Sequence, residues 1–356
     1  MLIDGHGLAF RAFHAVPLLS SSDGTPTNVI MGFMNMLERL EREYKRAPQQ
    51  HEALSTSADK KVTERVPLLR ETCGKARINN HKEATLKSET NSMAKSYYQP
   101  SLFDEEPITE SAPLVESTPR AIFGVTIVFD APGKTFRHNI YPEYKQTRKP
   151  TPQEFKPQIP LLIELLKYLG YPVVMIEGVE ADDTIASASR IFDSVVVSSD
   201  KDLLQILRPG VEILRPIKGV STFNHYNVSA FMEEYGFPPE SMPDYLALLG
   251  DTVDNLPGVP GIGEKTALKL ISEYKNIEEL LENIESLKPS HKKSLTNNRE
   301  QVYASRELNR LKFDVALDLS LFQPLTPDYA AAMSLCERLD LRQMCNRIAI
   351  MRSKTI

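Results

Sequence analysis

The sequence predicts an α/β protein with a mostly parallel central sheet flanked by helices and a helical C-terminal part. Short runs of β-branched and apolar residues recur as far as about residue 214. Segments with helical periodicity separate these runs, which is the βαβ alternation of a parallel sheet. Beyond Pro238 the strand-like runs stop and helix-like segments follow.

Strand-like and helical segments alternate along the first two thirds of the chain. Strand-like runs are seen at Leu2–Asp4, Ile122–Phe129, Val173–Ile176, Val195–Val197 and Val211–Leu214. Helical spacing is seen around Phe10 and Phe13, from about Asn28 to Lys45, over residues 159–169, and from about Asp182 to Phe192. The strands are short and bounded, and the helices alternate with them. The last apolar segments, 335–341 and 344–350, are expected to pack back on the sheet.

One long segment breaks this alternation. Between Ala47 and about Pro119, polar and charged residues dominate and six prolines are scattered through the segment. We predict a disordered or weakly ordered insertion at 47–119, because such a composition buries too little apolar surface. Residues 1–46 and 120–237 are then the α/β core, and residues 238–356 are the helical part.

Composition narrows the class of protein. The chain has 356 residues, of which 41% are apolar and 25% charged, as in a globular protein with a packed core. No apolar run approaches the roughly 20 residues that span a membrane, and no export signal precedes the first strand. The three cysteines lack metal-ligand spacing, so we assign them no role and expect a reducing cytoplasmic compartment.

Nine acidic residues form five clusters, and three of these clusters stand where a strand-like run ends. The clusters are Asp4; Asp130; Glu180, Asp182 and Asp183; Asp200 and Asp202; and Asp251 and Asp254. Ligand sites of parallel sheets lie beyond the carboxyl ends of the strands, so these side chains are expected to converge. Because like charges repel unless cations neutralise them, and because hard oxygen ligands favour Mg²⁺ or Mn²⁺, we predict a site for two or more such ions.

Each acid has a simpler explanation when taken singly. Glu180, Asp182 and Asp183 open a predicted helix, where the helix dipole favours acids. Asp200, Asp202 and Asp254 suit turns or N-caps equally well. The joint placement of five clusters at strand ends and helix starts favours the metal site. Two ions about 4 Å apart can bind the attacking oxygen and the leaving oxygen of a phosphoryl displacement, and such a site needs many carboxylates.

A basic strip follows the second acidic cluster. The net charge of the chain is −5, yet the stretch from Lys134 to Lys156 contains six Lys and Arg residues and only two Glu residues, which gives it a local charge of +4. Tyrosines such as Tyr141 among cations are typical of a channel for single-stranded nucleic acid, although a solvated loop is the alternative. If the strip is helical, Lys145 and Arg148 share a face and can stabilise charge on a phosphate. His6 and His138 have no visible catalytic partner, so we interpret both as structural or solvent-facing.

A glycine-rich segment, residues 256–267, leads into a helix. It resembles a helix-hairpin-helix, in which backbone N–H groups and a helix N-terminus face a phosphate. The residues expected there are Gly258, Gly261, Gly263, Lys265 and Thr266. A nucleotide-binding P-loop is rejected because Glu264 stands where that loop requires Lys. An ordinary glycine-rich connection between helices is the other alternative.

Taken together and in this order, these motifs resemble the 5′-nuclease family, which includes flap endonucleases and the 5′→3′ exonuclease domain of bacterial DNA polymerase I. The resemblance implies a PIN-like core and a Mg²⁺-dependent nuclease, acting at 5′ ends or 5′ flaps in replication and repair at the nucleoid. It implies a first metal site at Asp4, Asp130, Glu180, Asp182 and Asp183, and a second at Asp200, Asp202, Asp251 and Asp254. It further implies a helical arch near 134–156, with Arg137, Tyr141, Lys145 and Arg148, through which the 5′ strand passes. The resemblance also implies that the hairpin near 250–275 grips duplex DNA and that K⁺ can bind there.

The insertion carries a further resemblance. Gln99, Leu102 and Phe103 lie in a five-residue segment that resembles the peptide by which bacterial repair proteins bind the sliding clamp, although Pro100 departs from that pattern. Two alternatives to the nuclease stay open: a non-catalytic structure-specific DNA-binding module recruited to the clamp, and a single-strand RNA nuclease on the same sheet. The complete acidic set argues against the first alternative, and the hairpin argues against the second.

Overall fold

The computed structural model describes residues 1–46, 124–218 and 222–355. Its centre is a six-stranded sheet of order β3-β2-β1-β4-β5-β6, in which β1 to β5 run parallel and β6 pairs antiparallel with β5. The strands are β1 (Leu2–Asp4), β2 (Thr126–Val128), β3 (Val173–Val174), β4 (Ser194–Val197), β5 (Val211–Lys218) and β6 (Thr222–Tyr226). The strand order reverses direction between β1 and β4, so a crevice is expected at their carboxyl ends.

Alternate residues of the strands face two separate apolar cores. Leu2 belongs to one core with Ile185 and Tyr245, whereas Ile3 belongs to the other with Phe33 and Leu335. Val196 and Val197 of β4 divide in the same way. Because both faces are covered at the centre of the sheet, β1, β2 and β4 are mainly apolar instead of alternating with polar residues.

Thirteen α-helices lie within the described residues. They are α1 (Gly5–Ala15), α2 (Asn28–Arg46), α3 (Phe136–Ile140), α4 (Gln158–Tyr168), α5 (Ala181–Ile191), α6 (Val228–Tyr235), α7 (Met242–Leu249), α8 (Glu264–Tyr274), α9 (Ile277–Glu282), α10 (Pro289–Asn297), α11 (Arg299–Asn309), α12 (Tyr329–Arg338) and α13 (Arg342–Thr355). Short 3₁₀ turns, including one at Asp202–Ile206, connect some of them. Asp4 ends β1 and also caps α1, because its side chain accepts a hydrogen bond from the N–H of Gly7 at 2.8 Å.

The C-terminal helices pack as the sequence predicts. Leu335 of α12 and Met344 of α13 belong to the same apolar core as Ile3 and Ile127 of the central strands. Arg347 of α13 also donates a hydrogen bond to Asn35 of α2 at 2.7 Å. In the part of the chain that the structure covers, no helix combines the length and apolarity needed to cross a bilayer.

Three expectations need correction or lie outside the structure. The arch is less helical than predicted: α3 spans only five residues, turns follow it, and Lys145 has a φ of 60°. Strand β6 was not predicted at all. The insertion at 47–119, with Gln99, Leu102 and Phe103, lies outside the described residues.

Candidate metal and nucleic-acid site

Eight of the nine predicted acids line one cavity at the carboxyl ends of the strands. Its volume is about 810 Å³. The eight are Asp4, Asp130, Glu180, Asp182, Asp200, Asp202, Asp251 and Asp254. Asp4 ends β1, Asp130 follows β2, and Asp200 follows β4, so three neighbouring parallel strands deliver one carboxylate each. We call this space the carboxylate cavity.

Burial and mutual repulsion raise the pKa values of four of these acids, Asp4, Asp182, Asp200 and Asp202. Burial, together with Asp200 and Asp130, raises the pKa of Asp4 to about 6, although hydrogen bonds from Gly7 and Ser198 oppose the shift. Burial and neighbouring carboxylates raise the pKa values of Asp182 and Asp202 well above the ordinary range. Such a cluster is costly when ionised, and multivalent cations would relieve the cost.

Asp130 is the exception in this cavity. Burial would raise the pKa of Asp130, but hydrogen bonds from His6 and from the N–H of Ala181 outweigh it and lower the pKa to about 2. The Ala181 bond is 2.8 Å long and comes from the N-terminus of α5, where the helix dipole also favours an anion. Asp130 therefore stays ionised at any pH at which the protein would work.

The donor set fits hard divalent cations by its chemistry, since it offers many carboxylate oxygens and no sulfur. In the described part of the chain, however, no three acidic, histidine or cysteine side chains form a ready-made ligand cluster. Basic side chains hold two of the carboxylates: Lys145 Nζ lies 2.5 Å from Glu180 Oε1, and Arg148 Nη2 lies 2.5 Å from Asp254 Oδ1. The carboxylates converge on one cavity, but two of them, Glu180 and Asp254, already form ion pairs with Lys145 and Arg148.

Arg137 and Asp183 are placed differently from the expectation. Arg137 is only 2% exposed, and its guanidinium donates to both oxygens of Asp183 at 2.7 and 2.8 Å and to the carbonyl of Leu308 at 2.8 Å. Asp183 is fully buried and does not line the cavity. Arg137 and Asp183 neutralise each other in the interior, although Arg137 also borders the cavity, and the assignments of Arg137 to DNA and of Asp183 to a metal stay predictions.

Lys145 and Arg148 both reach the carboxylate cavity, although neither stands on a helix. The backbone N–H of Lys145 bonds to the carbonyl of Asp254 at 3.0 Å, which ties the strip to the hairpin loop. Tyr141, which was predicted to contact DNA, is half-buried at the edge of the strip, and its hydroxyl donates to Glu143.

Sequence reasoning missed three side chains of this site. Tyr144 is buried, and its hydroxyl lies 3.1 Å from Glu180 Oε2 and 3.0 Å from Asp254 Oδ2. Burial and then Glu180 raise the pKa of Tyr144, so it keeps its proton and bridges the two carboxylates as a donor. Ser198 Oγ donates to Asp4 Oδ2 at 2.8 Å, and the N–H of Asp200 donates to Ser198 Oγ at 3.0 Å.

His6 is the third missed side chain. It lines the cavity, and its Nδ1 lies 3.2 Å from Asp130 Oδ2. The interpretation of His6 as structural or solvent-facing did not anticipate this contact with Asp130. A usable signal was its position two residues after Asp4, at the start of the helix that leaves the strand.

The hairpin joins α7 to α8, and its glycines divide into two kinds. A Cβ on Gly258 would lie 2.2 Å from the carbonyl oxygen of Leu249, so this glycine allows the loop to pack against the end of α7. Gly261 and Gly263 have open space around them, and Lys265 is exposed at the start of α8. Thr266 is half-buried. The exposed members, together with the α8 N-terminus, form a surface that suits a phosphate.

Comparison with known proteins agrees with this architecture. The model of the 5′-3′ exonuclease N-terminal resolvase-like domain matches residues 1–74 and 114–236, and that of the 5′-3′ exonuclease C-terminal SAM fold matches residues 237–329. DNA polymerase I of Bacillus caldotenax is 32% identical over 90% of this chain, which spans 29% of that protein's length. Thermostable DNA polymerase I of Thermus thermophilus is 35% identical over 67% of the chain and 28% of its own length.

Among solved structures, the T5 D15 protein co-crystallised with metal ions shares the fold. The TM-score is 0.51 at 17% identity, and the match covers 98% of this chain and 96% of that one. The chain spans less than a third of the length of the two polymerases named above. The models of the N-terminal and the C-terminal domain nevertheless match this chain one after the other, and the chain therefore belongs to the 5′-3′ exonuclease family.

Proposed function

We propose that this chain is a metal-dependent, structure-specific 5′ nuclease that hydrolyses DNA phosphodiesters at 5′ ends or 5′-flap junctions in replication and repair. One observation carries the proposal: eight carboxylates line a single cavity that is bordered by Lys145 and Arg148 on one side and by the hairpin loop on another. Family membership supports the same reaction class. A cytoplasmic location at the nucleoid follows from that substrate.

The carboxylates divide into two ligand groups by their positions. Asp4, Asp130, Asp182 and Glu180 come from β1, β2 and the start of α5, and they would hold one Mg²⁺ or Mn²⁺ ion. Asp200, Asp202, Asp251 and Asp254 come from the β4 loop and the hairpin, and they would hold the second. Bound divalent cations supply Lewis acidity to the attacking water and to the leaving oxygen of a phosphodiester.

Lys145 and Arg148 are the side chains best placed to meet a scissile phosphate. They border the cavity and carry positive charge where negative charge develops during hydrolysis. Each now pairs with a carboxylate that we assign to a metal. Tyr144 holds Glu180 and Asp254 together through one hydroxyl, so it orients one carboxylate from each ligand group.

The DNA would bridge the hairpin and the arch. Gly261, Gly263, Lys265 and Thr266 at the α8 N-terminus suit the phosphates of the duplex, and Tyr141 suits an unpaired base of the 5′ strand. A K⁺ ion in the hairpin rests on the family resemblance alone and stays a prediction. Clamp binding through Gln99, Leu102 and Phe103 also stays a prediction, to be checked by a clamp pull-down with Leu102→Ala and Phe103→Ala.

A cleavage assay tests the proposed function. The protein is incubated with a 5′-flap duplex and Mg²⁺, and cleavage rates are compared for the native chain, Asp130→Ala, Asp200→Ala and the exposed control Asp314→Ala. We expect the two cavity variants to lose more than about 100-fold, beyond what loss of an outer-shell partner of a metal ligand typically costs. The control should retain its rate. Binding of the flap without cleavage by the native chain would favour a DNA-binding module instead.

A further inference from the structure

A second cavity adjoins the carboxylate cavity and takes no part in the proposed chemistry. Its volume is about 510 Å³, within the roughly 300–1,000 Å³ that is typical of small-ligand sites. Its walls are mainly apolar and come from α4, the turn after β2 and the end of β3. The apolar residues are Pro132, Ile159, Pro160, Ile163 and Met175. We call this space the side cavity.

The side cavity shares one wall with the carboxylate cavity. His6 and Asp130 line both spaces, and the 3.2 Å contact between them forms that wall. The hairpin residues 250–254 line only the carboxylate cavity. If a DNA strand lies over the carboxylates and its duplex part rests on the hairpin, the side cavity is on the side away from the duplex. The side cavity is then next to the unpaired 5′ end of that DNA strand.

The chemistry of the side cavity matches a nucleobase with its attached phosphate. Rigid proline rings and the Ile163 side chain offer flat apolar contact to a base, and the sulfur of Met175 is polarisable. The His6 ring packs edge-on against Phe129, with centroids 5.2 Å apart, so its orientation is fixed at the shared wall. Two charged side chains of α4 also border the cavity, Glu164 and Lys167. Glu164 accepts a hydrogen bond from the Tyr168 hydroxyl, and Lys167 carries the positive charge that would meet a phosphate.

We propose that the side cavity binds the base of the nucleotide immediately 5′ of the cleaved phosphodiester. This inference rests on the proposed function and adds a substrate subsite to it. The subsite draws an unpaired base away from the duplex and thereby helps to fix which phosphate lies over the carboxylates. A base is preferred over an unrelated apolar ligand because His6 and Asp130 line both cavities, so an occupant of the side cavity lies next to the carboxylates.

The test compares two flap substrates that differ only at that nucleotide, one intact and one abasic. For the native chain we expect the abasic flap to be cleaved about tenfold more slowly at subsaturating DNA, the size of effect expected for one stacked base. Met175→Ala and Ile163→Ala should reduce this ratio to about twofold or less. Ile350→Ala, an exposed residue of α13, is the matched control and should preserve the ratio. Met175 is 38% exposed, so its variant is expected to fold.

A second readout needs no cleavage. The same nucleotide is replaced by 2-aminopurine, and fluorescence is followed on binding in the presence of a chelator. The signal should rise with the native chain as the base leaves its stacked neighbours, and this rise should be smaller with Met175→Ala.

The two readouts separate failure of the subsite from failure of the proposed function. An equal ratio in the native chain and both variants, or no fluorescence change on binding, overturns the subsite while flap cleavage stands. If the native chain binds the flap but does not cleave it, the proposed function fails. The fluorescence comparison alone then decides whether the base occupies the side cavity. Failure to bind the flap at all contradicts both.

Discussion

Asp182 and Asp183 occupy successive positions at the start of α5 and face opposite environments. Asp182 lines the carboxylate cavity, whereas Asp183 is fully buried and paired with Arg137. Successive residues of a helix point about 100° apart, so adjacent acids rarely serve one site. The sequence could show that acids begin this helix, but it could not show which acid faces a buried guanidinium 46 residues away.

The Arg137–Asp183 pair leads to a stability prediction. Arg137→Met leaves the Asp183 carboxylate buried without its cation, and we expect the free energy of unfolding to fall by about 3–5 kcal/mol. The double variant Arg137→Met, Asp183→Leu should recover part of that loss, because no unpaired charge is left. Urea denaturation measures both. As a control, Arg310→Met removes the exposed pair with Glu307 and should cost no more than about 1 kcal/mol. A single-variant loss equal to the control would refute the structural role of Arg137.

Asp4 gives a pH prediction whose sign follows from its pKa. The pKa of Asp4 in the folded chain is about 6, above its ordinary 3.8, so the folded state binds a proton that the unfolded state releases between these values. The stabilisation is complete below pH 4 and is lost as the pH rises through 6. In a chelator the melting temperature should therefore fall from pH 5 to pH 7, and Asp4→Asn should flatten that slope. An unchanged slope in the variant would show that Asp4 is not the titrating group.

Tyr144 and Ser198 were missed by sequence reasoning for the same reason. Tyr144 and Ser198 act through contacts with residues 36 to 194 positions away, and their residue types carry no chemical signature of their own. The acids could be found because charge at a strand end is rare and informative. A hydroxyl that orients a carboxylate becomes visible only in three dimensions.

At the scale of elements, the hairpin depends on close backbone packing between α7 and the glycine-rich loop. A methyl group on Gly258 would meet the Leu249 carbonyl at 2.2 Å, whereas Gly263 has open space and a φ of −92°. We expect Gly258→Ala to lower the free energy of unfolding by about 1–3 kcal/mol, the usual cost of overpacking. Gly263→Ala should stay within about 0.5 kcal/mol of the native chain, as a substitution without strain. Equal losses in chemical denaturation would contradict this division of the glycines.

The arch forms turns where a helix was predicted, and the prolines of this stretch explain the difference. The prediction of a helical arch rested on the family resemblance, and the shared face of Lys145 and Arg148 was conditional on that helix. Pro142, Pro150 and Pro152 lie in the same stretch and disfavour helix at and before their positions. The backbone instead forms turns, and the φ of 60° at Lys145 directs its side chain to Glu180.

At the scale of the whole molecule, the parallel sheet could be predicted because its strands are short, apolar and separated by helices. The convergence of Asp4, Asp130 and Asp200 then follows from the adjacency of β2, β1 and β4. Strand β6 could not be predicted, since the run Thr222–Tyr226 lies at the sheet edge and mixes polar and aromatic residues, of which Asn224 and His225 are exposed. Within the described part of the chain, β6 pairs with β5 alone.

Metal binding should stabilise the whole fold, because a ligand that binds only the folded state raises its stability by mass action. We expect saturating Mn²⁺, at about 100 times its dissociation constant, to add about 2.7 kcal/mol per site to the native chain. Asp200→Ala should respond less than the native chain, and the control Asp314→Ala should respond fully. Thermal melts with Mn²⁺ and with a chelator measure the difference. A native chain that melts identically in both would be inconsistent with metal sites in the cavity.

An anomalous difference map from crystals of the protein soaked in Mn²⁺ tests the metal site most directly. We expect two peaks inside the carboxylate cavity, one beside Asp4, Asp130 and Asp182 and the other beside Asp200, Asp202 and Asp251. A map without peaks there, or with Mn²⁺ bound only elsewhere on the surface, would contradict the claim that the fold gathers these carboxylates to hold metal ions.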